Sequence, residues 1–245
     1  MMWILTVLAG LLVGMLINYL ADVLPRTRRL SRPECSHCAA SLPLIKYIFS
    51  LRCPDCGKLR PWRHFIVLVG AVAASLLLRF YPFAGLNYWA ALPVLAFLGL
   101  ILVIDIGHRL VLFETSLFGL ALCGVYGVIL RGWAGTLLGG LAGFGIMFFF
   151  FILGIGFNNV VGRLRGKKVG EVAFGFGDVF AGAFLGLLTG WPGVAGVILL
   201  AMLAFGAFAI VFLLVLILAR RYQAFASPVP FTPFLILGTI VMFYL

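Results

Sequence analysis

Charge is what this sequence of 245 residues has least of: Asp, Glu, Lys and Arg make up 10% of it, against a hydrophobic fraction of 64%. Soluble domains carry about 25% charged residues. A globule with so few could not cover its own surface, so most of the chain must lie in lipid. That excludes a secreted soluble enzyme, a disordered regulator and a nucleic-acid-binding domain. Acids are scarcer still, seven against 18 Lys and Arg. No glycine-rich nucleotide fingerprint, internal repeat or low-complexity linker is present. The formal charge of +11 would suggest nucleic acid in another setting, but here the bases collect in loops, as they do on the cytoplasmic side of a membrane protein.

About 20 apolar residues cross the hydrocarbon core. The nearly charge-free stretches are Met1 to Ala21, His64 to Phe83, Leu86 to Asp105, Val111 to Leu130, Ala134 to Phe157, Val179 to Leu218 and Val229 to Leu245. Trp191-Pro192-Gly193 divides the sixth, because Pro and Gly end helices and Trp favours the interface. The pattern predicts an all-α polytopic membrane protein of about eight transmembrane helices. The first stretch has no base before it and Arg26 to Arg32 after it, the reverse of a cleavable signal. It is expected to be retained, with its N-terminus outside. Threading from there puts Arg26, Arg28, Arg29, Arg32, Lys46, Arg52, Lys58, Arg60 and Arg63 in one cytoplasmic loop. Arg109, the group 163–168 and the pair at 220 and 221 also fall inside, and only Arg79 and Arg131 fall outside. Three parts follow: residues 1–24, the first helix; 25–63, a cytoplasmic loop; and 64–245, the membrane core. Gly135, Gly139, Gly140, Gly143 and Gly145 suit close helix packing in lipid.

Four of the five cysteines form two Cys-x-x-Cys pairs, Cys35 with Cys38 and Cys53 with Cys56. Each turn aims two thiolates at one metal, and two turns complete a tetrahedral zinc site with no open position. The predicted topology puts this loop in the reducing cytoplasm, where disulfides are rare. Structural zinc is the expectation. Cys123 stands alone within the fourth span and reads as a small buried hydrophobe.

Acids inside apolar spans are expensive and usually functional. Asp22 closes the first helix, Glu34 and Asp55 belong to the polar loop, and His64 marks the start of the second span. Asp105 closes the third span and Asp178 opens the sixth. One span runs inward and the other outward, so both carboxylates are expected at one depth, near the cytoplasmic face. Two close carboxylates cannot both ionise easily, so one serves as acid and the other as base. Such a pair can hydrolyse a peptide bond. A proton relay or a buried hydrogen bond between helices fits the same two residues equally well. Gly175 and Gly177, beside Asp178, let a substrate backbone approach.

Taken in order, these residues resemble the type IV prepilin peptidases, membrane aspartic proteases. The likeness lies in Gly10 to Asn18 and the two cysteine pairs around Pro43 and the stretch Tyr47 to Arg52. It continues in Ile104-Asp105-Ile106 with His108, in Gly175-Phe-Gly-Asp178 with Glu171 upstream, and in Pro230-Phe-Thr-Pro-Phe-Leu235. Phe180 stands where the family usually has Lys, and both acids are kept.

The resemblance implies that Asp105 and Asp178 form the catalytic pair of an endopeptidase in the bacterial cytoplasmic (inner) membrane. It would cut basic leaders from prepilin or pseudopilin precursors at the cytoplasmic face. Glu114 and Glu171, at the same edge, are expected to attract the leader. The resemblance also implies that the chain methylates the new N-terminus from S-adenosylmethionine through the zinc loop. The rival from another class is a non-proteolytic proton-coupled transporter or channel using the same carboxylates. It would more often show matched halves with broken helices, and none is found.

Overall fold

The computed structural model describes residues 2–35, 38–50, 52–83, 85–165, 175–218 and 229–244, and among them the regular structure is helical. The helices are α1 (Met2–Thr27), α2 (Leu44–Phe49), α3 (Trp62–Phe80), α4 (Tyr88–His108), α5 (Phe113–Arg165), α6 (Phe176–Thr189), α7 (Gly193–Leu218) and α8 (Thr232–Tyr244). Five of them, α1, α3, α4, α5 and α7, are long and apolar enough to cross a bilayer. At 14 and 13 residues, α6 and α8 are shorter than the usual span. Large apolar side chains such as Leu12, Val69, Leu141 and Leu203 are more than half exposed. Such surfaces suit lipid and would make a soluble protein aggregate. The architecture is that of a multi-pass membrane protein.

The chain forms two compact units, Met1–Leu110 and Val111–Leu245. In the first, α1 packs on α3 and α4. Thr6, Gly10, Gly14, Ile17, Asn18 and Ala21 recur at helical spacing and form the buried stripe of α1. A Cβ on Gly10 would lie 2.8 Å from the Val72 Cα, and one on Gly14 would lie 3.1 Å from the Ala71 Cβ. Glycine is therefore what lets α1 and α3 approach backbone to backbone. The Ser75 hydroxyl donates to the Thr6 carbonyl at 3.0 Å and lies 2.7 Å from the Tyr88 hydroxyl, tying α1, α3 and α4 together.

In the second unit, Gly132 breaks α5 with φ 74° and ψ 170°, a conformation essentially restricted to glycine. The break falls between the expected fourth and fifth spans. Beyond it, Gly139 and Gly143 face Gly186 and Gly182 of α6, and a Cβ on any of the four would meet the facing glycine's carbonyl oxygen. Gly140 sits against Leu187, whereas Gly145 borders open space. The predicted division at Trp191-Pro192-Gly193 is present: α6 stops at Gly190 (φ 70°) and α7 starts at Gly193. With α5, α7 and α8 around it, α6 buries Val179, Phe184, Leu185 and Leu188 almost completely.

Candidate functional site

The cysteine loop is built from one backbone motif used twice. The Cys35 N–H donates to the Ala40 carbonyl and the Ala39 N–H to the Cys35 carbonyl, both at 3.0 Å. Eighteen residues later the Cys53 N–H donates to Lys58 and the Gly57 N–H to Cys53, at 3.0 and 2.9 Å. Matching bridges flank the motifs, Glu34 with Ser41 and Arg52 with Leu59. Both turns need positive φ at the residue after the second cysteine, 55° at Ala39 and 68° at Gly57.

All four thiol sulfurs lie within 4.8 Å of one another, and the described cysteines carry no disulfide. Cys35 is 3.8 Å from Cys56, and Cys38 is 3.7 Å from Cys53. A zinc–thiolate bond of about 2.3 Å gives a tetrahedral edge of roughly 3.8 Å. The four donors therefore match a tetrahedral ion such as zinc. With four protein ligands, no position is left for water, so a metal here holds the loop together.

A polar network anchors that loop to the helices, and it was not foreseen from the sequence. The Tyr47 hydroxyl donates to Asp22 Oδ2 at 2.5 Å and lies 3.0 Å from His64 Nε2. His64 Nε2 is itself 3.0 Å from the same carboxylate oxygen, and Arg63 pairs with Oδ1. Burial and the Asp22 carboxylate push the Tyr47 phenol well above its ordinary range, so it keeps its proton and can donate. The Asn18 amide donates to the His64 carbonyl at 3.2 Å, and the Arg60 guanidinium lies 4.1 Å over the Tyr47 ring. A cleft beside the cysteines is lined by the bases Arg26, Arg52, Lys58 and Arg60 together with the acids Asp22 and Glu34, and Arg26 lies 3.9 Å from Glu34.

In the second unit, Asp178 stands at the third position of α6. Its Oδ2 accepts the Gly175 N–H at 3.0 Å, the acid's half of a capping box. Its Oδ1 accepts the hydroxyl of Thr232 at 2.9 Å. Gly175 is exposed. At Gly177 a Cβ would lie 2.7 Å from the Val111 Cβ, so packing alone requires glycine there. Glu114 is exposed on the first turn of α5. Glu171 lies outside the described residues. Asp105 belongs to the first unit, in the last turn of α4, and is only 5% exposed.

The structure thus brings the four cysteines together and fixes Asp178 on both oxygens. The two aspartates fall in different units. No protein-family model, curated protein or solved structure matches this chain.

Proposed function

We propose that this protein is a membrane aspartic endopeptidase of the prepilin peptidase kind, which removes leader peptides from pilin-like precursors. The observation that carries the reading is the presentation of Asp178. A scarce acid heads an apolar helix within Gly175-Phe-Gly-Asp178, with a donor on each of its oxygens. Its partner in the reading is Asp105, buried at the end of another apolar helix. One carboxylate takes a proton from water as the water oxygen bonds to the scissile carbonyl carbon. The other gives its proton to the carbonyl oxygen. On collapse the C–N bond breaks, the amine takes the first proton, and the second carboxyl recovers its own from the gem-diol.

In this reading the break at Gly132 divides α5 into two crossings. With α6 and α8 this makes eight, and the basic cysteine loop faces the cytoplasm. Both aspartates then stand near the cytoplasmic face of the bacterial inner membrane, where Glu114 and Glu171 draw in the basic leader. Zinc held by Cys35, Cys38, Cys53 and Cys56 keeps the loop folded and takes no part in hydrolysis. In the same reading the methyl donor, S-adenosylmethionine, would enter the cleft beside it, with Arg52 and Arg60 available to its carboxylate.

The test uses purified protein reconstituted in sealed liposomes, mixed with a panel of prepilins and pseudopilins and followed by mass spectrometry. Loss of the leader from at least one precursor supports the reading. Added donor should then bring a methyl mass on the new N-terminus, and its absence would leave a peptidase alone. A panel left intact, with protons or ions carried across the bilayer instead, would favour the transporter.

A further inference from the structure

Thr232 opens α8 with 0% of its surface exposed. Threonine at a helix start ordinarily caps the first turn by accepting from backbone N–H groups. Here its single O–H is given to Asp178, 54 residues away in sequence. Asp178 therefore meets two donors, one on each oxygen. A carboxylate accepts both. A carboxylic acid must carry a proton on one oxygen, which then opposes a donor, so burial disfavours the charge while these two hydrogen bonds favour it.

The elements packed around α6 carry few titratable groups. Among the described residues, α7 carries no titratable side chain and α8 only Tyr244, at its far end. On α5, Glu114 is in the first turn, next to Phe113, whose ring lies 6.1 Å from that of Phe180. Arg131 contacts Gly190 at the opposite end of α6, and Cys123 and Tyr126 lie between these positions on α5. The far end of α5 carries two more bases, Arg163 and Arg165. The Thr232 hydroxyl and the Gly175 N–H each hold one of the Asp178 oxygens.

We infer that Thr232 is a positioning residue whose hydroxyl favours the ionised form of Asp178 against the burial that opposes it, and in the proposed pair Asp178 then serves as the base and Asp105 as the acid. This role assignment rests on the peptidase reading. The hold of Thr232 on Asp178 does not. With it, Asp178 takes the proton from the attacking water and hands it to the leaving amine. Asp105 protonates the carbonyl oxygen and regains that proton when the C–N bond breaks.

The experiment reads the two statements separately. Dicyclohexylcarbodiimide reacts with protonated carboxyls, so labelling of Asp178 across a pH series, read by peptide mass, follows its ionisation without any substrate. Thr232→Val keeps the side-chain shape but removes the hydroxyl. Its labelling curve should move to higher pH by about one unit, roughly tenfold in proton concentration, the size expected for one lost hydrogen bond to a carboxylate. Thr232→Ser should reproduce the parent curve. Thr232→Ala, which also lacks the donor, carries the same expectation should valine fail to pack. On a cleaved prepilin, the acid limb of the kcat profile should move the same way in Thr232→Val and return in Thr232→Ser. Loss of a helix cap alone would lower stability and leave both curves in place. Coincident or flat labelling curves for parent and Thr232→Val, or a Ser variant that moves with Val, would overturn the inference. A parent that cleaves no prepilin would sink the peptidase reading, while the labelling still decides what Thr232 does.

Discussion

Both units bring helices together on glycine, Gly10 and Gly14 in the first, Gly139, Gly143, Gly182 and Gly186 in the second. They differ in what secures their polar ends. The first unit has a loop with a three-residue buried core, Leu42, Tyr47 and Cys53, too small to hold itself. It relies on four thiolates and on the Asp22, Tyr47 and His64 network. The second unit has backbone-close helices and an acid, Asp178, held by a hydrogen bond on each oxygen. Close packing suffices for the apolar helices, whereas the polar loop is held by its clustered cysteines and by directed polar contacts.

The comparison breaks most visibly at the cysteines. Replacing Cys35 and Cys38 with Ser should release the zinc, about one ion per chain in the parent by the four-ligand rule. Structural zinc contributes on the order of 10 kcal/mol to small folds, so the loop should open to protease while α5 and α6 stay protected. Metal analysis and limited proteolysis check this, and full zinc occupancy in the double variant would refute the site. The converse change is Gly143→Val, which drives a Cβ into the Gly182 carbonyl. Overpacking of this kind costs about 3 kcal/mol or more when backbone must move. Denaturation in mixed micelles should show the loss, with zinc content unchanged.

Smaller effects sharpen the contrast. Tyr47→Phe removes the hydroxyl that donates to Asp22 and leaves a half-buried carboxylate one donor short, a cost of about 1–3 kcal/mol. Its signature should be faster hydrogen exchange in the loop, with none gained in α6. Ala39 occupies the left-handed position that Gly57 fills in the second turn. Ala39→Gly relieves roughly 1–2 kcal/mol of strain, partly offset by the added freedom of the unfolded chain. A net gain of under about 1 kcal/mol should appear as slightly slower zinc loss to a chelator.

What could be read from the sequence follows from how local each signal is. Cysteine spacing announced the cluster because each turn is made within six residues. The gap at Arg131 shows as a charge between two apolar stretches, and the Trp191-Pro192-Gly193 break shows because Gly and Pro act on their own backbone. Gly139 and Gly143 were flagged by composition, but only packing separates them from Gly145, which faces nothing. Asp22 and His64 looked like helix ends because Tyr47, which joins them, lies 25 and 17 residues away. Thr232 stood in a recognised stretch with no sign that it reaches Asp178. Such pairings depend on how helices stack, which periodicity does not encode.

The central claim is that Asp105 and Asp178 act as one hydrolytic pair, and single amide substitutions test it most directly. Parent protein, Asp105→Asn and Asp178→Asn are each mixed with a precursor that the parent cleaves, and leader loss is timed by mass spectrometry. An amide can neither take nor give the required proton, so each variant should lose cleavage. The double variant should be hardly worse than either single one, because parts acting as a unit are not additive. All three variants should remain monodisperse and retain zinc. Undiminished cleavage by either single variant would contradict the account and return these aspartates to a structural or transport role.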